Sequence, residues 1–230
     1  MVNLNLDWGP SLKTIAGRRS IRAFLNRAVP RNVIEDLLEA AGRAPSANNT
    51  QPWTVHILTG STKTRLTEAI MAERAGGAPE PAMEYQYYAE SWPEPYLGRR
   101  RALGWSLYEL MGIQKGDRSG SRAWHDRNFD FFGAPVGLIV TTDRRLGLSA
   151  LIDIGMFMEA IAIGARSFGL ETCPQAAFAA YHEAARSVLS LPPEQMVVCG
   201  MALGFEDRDA LPNSLHTPRA AVPEFATFHD

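Results

Sequence analysis

Residues 146–168 contain a stretch that no water-facing helix tolerates: Leu148, Leu151, Ile152, Ile154, Met156, Phe157, Met158, Ile161 and Ile163 fall on every side of a helical wheel. A helix without a polar face has to be covered all round. In a chain of 230 residues that cover comes from a central place in the core or from a second subunit. A bilayer is a poor alternative, because Asp153, Glu159 and Arg166 would be expensive in lipid, so no membrane partner is expected.

The remaining chain alternates helical and strand-like patterns without repeats or composition breaks, which reads as a single mixed α/β domain over 1–230. Pro30 starts a helix in which Val33, Ile34, Leu37, Leu38 and Ala41 recur at helical spacing until Gly42 and Pro45. Residues 53–58 alternate and are rich in β-branched and aromatic side chains, as in a strand, and residues 62–74 resume a helical pattern. Residues 136–142 and 196–205 are nearly continuous apolar runs, the mark of central strands covered on both faces.

Charge and cysteine usage exclude whole classes of function. With 23 Lys+Arg against 25 Asp+Glu there is no basic excess for nucleic acid. Cys173 and Cys199 stand far apart without metal-ligand spacing, so no metal site is expected, and two reduced thiols suit a cytoplasmic protein. The first ten residues lack a basic and apolar export signal. No Gly-x-Gly-x-x-Gly, Walker loop, zincin helix or Gly-x-Ser-x-Gly elbow is present.

Residues 76–132 form an excursion dense in aromatic residues, including Tyr85, Tyr87, Tyr88, Trp92, Tyr96, Trp105, Trp124 and Phe131, with the basic run Arg99-Arg100-Arg101. Amphipathic helices joined by loops fit it. Its aromatics either line a pocket for a flat ligand or anchor the excursion to the core.

Four polar segments stand where a fold has no need of them. Arg18-Arg19-Ser20-Ile21-Arg22 gathers three guanidiniums and a hydroxyl, which match phosphate oxygens and carbonyl edges. Residues 44–53 (Ala-Pro-Ser-Ala-Asn-Asn-Thr-Gln-Pro-Trp) offer the amides of Asn49 and Gln51, donor and acceptor together, to a heterocycle edge. Residues 169–178 (Gly-Leu-Glu-Thr-Cys-Pro-Gln-Ala-Ala-Phe) place small residues after Pro174, where backbone can approach a ligand closely. The tail holds Asn213, His216, Pro218 and Arg219.

In this order and spacing, from about Gly17 to Arg219, with Phe24 after the arginine run and Gly204 before the tail, the segments resemble the nitroreductase family of flavin-dependent oxidoreductases. The resemblance implies an α+β nitroreductase-like fold: a mixed, mainly antiparallel sheet flanked by helices, assembled as an intertwined homodimer with FMN at the interface. It implies that Arg18 and Arg219 hold the FMN phosphate with Ser20 in support and Arg19 nearby, and that Arg22 meets the isoalloxazine N1/O2 edge. Asn49, with Gln51 in the same loop, meets the pyrimidine edge. Pro174, Gln175, Ala176 and Ala177 lie against one ring face, and Gly204 completes the cofactor-binding set. Ala177 stands where relatives often carry Gly, and His216 where they often carry Arg.

No side chain need be catalytic, because the flavin N5 carries hydride from NADH or NADPH to a small aromatic acceptor. With a nitroarene, a ping-pong cycle would give the nitroso compound and then the hydroxylamine. Tyr88, Tyr96, Trp124 and Phe131 are the candidate acceptor contacts. Related flavin chemistry, namely quinone or enone reduction or reductive dehalogenation, and a non-catalytic flavin-binding role remain alternatives at this level.

Overall fold

The computed structural model describes residues 8–76 and 79–229. The reading of the extreme N-terminus therefore falls outside the described residues for positions 1–7. Four strands, β1 (Thr54–Leu58), β2 (Val136–Asp143), β3 (Glu171–Gln175) and β4 (Gln195–Gly204), form one sheet in the order β1-β2-β4-β3. Every neighbouring pair is antiparallel. Among the described residues the expected parallel component is thus reduced to one isolated bridge, Ser20 to Thr172.

The two continuous apolar runs are indeed the inner strands, and both faces of β2 and β4 are covered. Helices α2 (Arg31–Ala41) and α6 (Gly147–Ala165) lie over one face, where Ile34, Leu37, Phe157 and Ile161 meet Leu138, Val140, Met201 and Leu203. Helices α3 (Gly60–Ala75) and α7 (His182–Leu189) help cover the other, with Leu66, Ile70, Phe129, Phe131 and Phe178 against Ile139, Val197 and Ala202. A short helix, α1 (Pro10–Gly17), precedes the first polar segment.

On that second face two glycines make room for rings. A Cβ on Gly137 would stand 2.5 Å from the Phe131 ring, and one on Gly200 would stand 2.4 Å from that of Phe178. The two rings stack over this niche with centroids 4.5 Å apart. Such complementarity leaves no space for any side chain at either strand position.

Helix α6 is long and apolar enough to cross a membrane by length and composition. Here it is the central helix of the α2 layer, with Ile154, Phe157, Met158 and Ile161 buried. Its two acidic residues serve the fold: Asp153, 4% exposed, accepts a hydrogen bond from Ala47 N at 3.1 Å, and Glu159 lies 3.4 Å from the Arg18 guanidinium. The outer face keeps an apolar stripe, with Leu148 72%, Ile152 59% and Met156 37% exposed.

The aromatic excursion leaves at the end of α3 and returns at β2, carrying α4 (Tyr96–Leu110) and α5 (Arg118–Asp126). Its two ends are tied at a neck. The Arg74 guanidinium donates to Asp126 Oδ1 and to the Tyr181 hydroxyl, both at 2.6 Å, above the Phe129 ring. Asp117 caps α5 by accepting from Gly120 N at 2.8 Å. By contrast α4 buries Leu107 alone among its described residues, and Tyr96, Leu103 and Trp105 stay exposed.

Candidate active site

After α1 the chain runs extended beside the outer strand β3. Ile21 N donates to Thr172 O at 3.0 Å, and Arg22 N donates to Asn213 Oδ1 at 2.8 Å. Asn213 is buried and its Nδ2 donates to Ala23 O and Asp207 O, each at 2.8 Å, so one tail amide staples three segments. The fold thereby places Arg18, Ser20 and Arg22 next to the strand that ends in Pro174 and Gln175. Arg18 and Arg22 are only loosely engaged, by a 3.4 Å approach to Glu159 and a 3.3 Å bond to Ser20 O. Most of their donors remain available to an anion.

Where β3 ends, a cavity of about 380 Å³ opens between the strand and α6. Pro174, Gln175 and Ala176 form one wall, Leu151, Gly155 and Met158 of α6 a second, and Tyr85 and Tyr87 of the excursion a third. Gln175 is buried; its Nε2 donates to Asn128 O at 2.7 Å while its Oε1 has no partner. A buried amide oxygen left unpaired at a pocket wall is an acceptor waiting for a ligand donor. Ala176 and Ala177 open the turn Ala176–Ala179, whose first N–H groups have no acceptor within the turn.

Among the described residues no charged side chain lines this cavity. Cys199 does, but burial pushes its thiol up to about 12, so it is not a thiolate at neutral pH. Burial also raises the phenol of Tyr85. Among the described residues no cluster of three metal-binding side chains occurs. The arrangement can hold a flat, largely apolar ring and hydrogen-bond its edge; it holds no nucleophile or acid for covalent chemistry.

The polar loop between α2 and β1 is strained on purpose. Asn48, Asn49 and Gln51 all have positive φ, at 51°, 57° and 47°. Such backbone persists only where its surroundings enforce it. Ala47 N bonds Asp153, Gln51 N donates to Ser46 Oγ at 3.0 Å, Pro52 O accepts from Thr142 Oγ1 at 2.8 Å, and Trp53 stacks on Phe157 at 4.6 Å. Asn49 and Gln51 end up exposed. Within one chain α6 stands between this loop and the cavity: Asp153 and Phe157 face the loop and its Trp53, whereas Leu151, Gly155 and Met158 face the cavity.

A larger cleft of about 620 Å³ lies between α2 and the free edge of β1, lined by Val29, Ile34, Leu38 and Ile57. It contains none of the expected site residues, and its charged groups, Arg31 and Glu35, pair with each other at 2.7 Å.

Residues 15–205 match the family model described as the nitroreductase family. The chain belongs to the nitroreductase family. It is 42% identical to a 4-nitrobenzoate reductase of Nocardioides sp. (strain LMS-CY), over 93% of this chain and 87% of that protein. It is 41% identical to a chloronitrobenzene nitroreductase of Comamonas testosteroni, over 93% and 94%. The fold superposes with a TM-score of 0.92 on the FMN and NADPH-dependent nitroreductase NfnB from Sphigopyxis sp. strain HMH, at 32% identity, covering 96% of this chain and 99% of that one.

Several residues expected at the nitroreductase site have other work. Arg19 is held by the chain itself: its guanidinium donates to Glu206 at 2.7 Å and to Asn213 O, clamping the tail. The signal was alternation, since in an extended segment Arg18, Ser20 and Arg22 share a side and Arg19 takes the other. Gly204 is covered by Pro135, whose Cδ lies 2.6 Å from where a Cβ would stand, so close packing there requires a glycine. Phe131 is wholly buried under Phe178, and Trp124, 8% exposed, leans on Phe132 and the Arg127 guanidinium; neither faces the cavity. Tyr88 and Tyr96 are half-exposed, Tyr88 one ring away from the cavity at 4.7 Å from Tyr87. Arg219 is exposed and bonded to Thr217 Oγ1 at 2.7 Å. Of the excursion's aromatics Tyr85 and Tyr87 are the ones that line the cavity, while Asn128 and Asp153 fix Gln175 and the Asn49 loop; residue type alone does not distinguish any of the four from its neighbours.

Proposed function

We infer that this protein is an FMN-dependent oxidoreductase that uses NADH or NADPH to reduce nitroaromatic compounds, carboxylated nitroarenes among them. The observation that carries the inference is an apolar slot with an orphaned amide oxygen in its wall at the end of β3, the strand beside which the segment bearing the loosely engaged Arg18 and Arg22 runs. Relatives that reduce 4-nitrobenzoate and chloronitrobenzene, at 42% and 41% identity, support the acceptor class.

The residues fit FMN. Arg18 and Ser20 supply charge-assisted donors for its phosphate, joined by Arg219 once the tail is engaged. Arg22 puts a fixed positive charge at the pyrimidine edge, Gln175 offers its free Oε1 to a ring N–H, and Pro174 and Ala176 form the wall for one ring face, whereas Ala177 packs into the core behind them. Bound FMN supplies hydride transfer between the nicotinamide and the acceptor. The protein's share is orientation, exclusion of water by Leu151, Met158 and the tyrosines, and a slot narrow enough to stack an aromatic ring. Overall, nitroarene, NAD(P)H and a proton become nitroso compound, NAD(P)⁺ and water, and a second equivalent gives the hydroxylamine.

The functional unit is proposed to be a cytoplasmic homodimer of one-domain chains. The exposed stripe Leu148, Ile152 and Met156 seeks a cover, and a second copy across α6 would bring its Asn49 loop to the cavity that its own α6 blocks.

Purified holoprotein should carry FMN, oxidise NAD(P)H on addition of 4-nitrobenzoate or nitrobenzene, and yield hydroxylamine by chromatography; a protein without flavin or without acceptor-dependent turnover would sink the reading. Arg18→Ala should raise the FMN Kd by about 10- to 100-fold, since a charge-assisted contact contributes ~1.5–3 kcal/mol. Fluorescence of flavin released on dilution measures it, and unchanged retention removes Arg18 from the phosphate site.

A further inference from the structure

The β2–β4 pairing is interrupted: Val140 pairs with Cys199 but Thr141 with Val197, leaving Val198 as the extra residue of a bulge. A bulge frees backbone groups from the ladder and re-aims them. Two consecutive residues of the excursion bond the backbone at this point. Val197 N donates to Glu84 Oε2 at 3.2 Å, and the Tyr85 hydroxyl donates to Val198 O at 2.6 Å. Residues 79–93 contain no helix or strand, so these bonds, with the packing of Met83 and Tyr85 on the core, give this part of the excursion a fixed place.

Glu84, its side chain 9% exposed, is a hub with more partners than a surface acid has. Its Oε1 accepts from Arg144 at 2.7 Å and from Arg186 at 3.3 Å, and His182 Nδ1 lies 3.8 Å from its Oε2. The two arginines are themselves bonded to the turn that enters β4, through Pro193 O and Pro192 O at 2.8 Å. Burial pushes the Glu84 carboxyl up, but its donors outweigh that and hold it below the usual range. Immediately beyond the hub, Tyr85 and Tyr87 turn into the cavity opposite Pro174 and Ala176.

We propose that Glu84 is a positioning residue for acceptor specificity: by locking the excursion onto the β4 bulge it makes Tyr85 and Tyr87 a rigid wall of the acceptor slot. The proposal rests on the reading of that cavity as the place where flavin and acceptor meet. A rigid wall selects ring size; a loose one admits wider rings and holds small ones less well.

The test uses the full-length, FMN-loaded protein and the variants Glu84→Gln and Tyr85→Phe, the second removing a single oxygen. Both are expected to weaken benzoate binding, followed by the change in flavin absorbance, by about 10-fold. Both are also expected to shrink several-fold the kcat/KM ratio of nitrobenzene to 1-nitronaphthalene, while in Glu84→Gln, which lies outside the slot, the rate of flavin reduction by NAD(P)H without acceptor stays as in the parent. If Glu84→Gln does not fold, Tyr85→Phe decides alone. An unchanged benzoate Kd and ratio would overturn the proposal, as would loss of FMN or slowed flavin reduction, which would make Glu84 a general support. A parent protein that binds no FMN or turns over no nitroarene would instead overturn the underlying reading, and the proposal with it.

Discussion

Ile152→Asp is expected to give a folded monomer that loses its FMN on purification. Ile152 is 59% exposed and sits midway along the outer stripe of α6 between Leu148 and Met156, so the substitution disturbs no contact of the chain's own core. In a homodimer packed along this stripe the same aspartate would be buried without a partner. That costs several kcal/mol per copy, and two-fold symmetry applies the cost twice. A site completed by the partner's Asn49 loop should open at the same time. Sedimentation velocity and the flavin-to-protein absorbance ratio read the two effects, with circular dichroism to check the fold. A dimer with full flavin content would refute the assembly proposed for α6.

The second large effect concerns stability alone. Phe131→Ala should destabilise the protein by about 3–5 kcal/mol, the range for emptying a large aromatic site in a core. Phe131 is fully buried, stacks on Phe178 at 4.5 Å, and fills a niche that Gly137 leaves for it. Because a domain has only about 5–15 kcal/mol in total, the denaturant midpoint should fall steeply. The nitroarene selectivity of the surviving folded protein should not move. A shifted selectivity at unchanged stability would restore Phe131 to the acceptor site.

The contrast between Phe131 and Tyr87 marks where sequence stops being informative. Both lie in one aromatic-rich stretch, and nothing in composition says that one ring is under the sheet and the other on a cavity wall. Periodic elements were legible because burial repeats along them: α2 shows its 3.6-residue stripe, and the continuous runs of β2 and β4 announce strands covered on both faces. The β3 strand was hidden because it is short, lies at the edge and contains Pro174, whose missing N–H an edge can accept. Of the arginine run, the identity of the residues pointed to an anion, but only tertiary contacts separate Arg19, clamped to Glu206, from Arg18 and Arg22. The Glu84 hub left no sequence signal at all, since its partners Arg144, Arg186 and Val197 are remote in the chain.

The neck formed by Arg74 and Asp126 bears on how such a protein can diversify. Leu58 and Gly137 are register partners although α3, α4 and α5 all intervene, so the sheet closes without reference to the length of the segment beyond the neck. Doubling a flexible loop costs only about 0.6 kcal/mol of closure entropy. A segment fastened at its base can therefore be lengthened, shortened or exchanged between homologues as a cassette, changing which acceptors are admitted while the cofactor machinery on the sheet stays as it is.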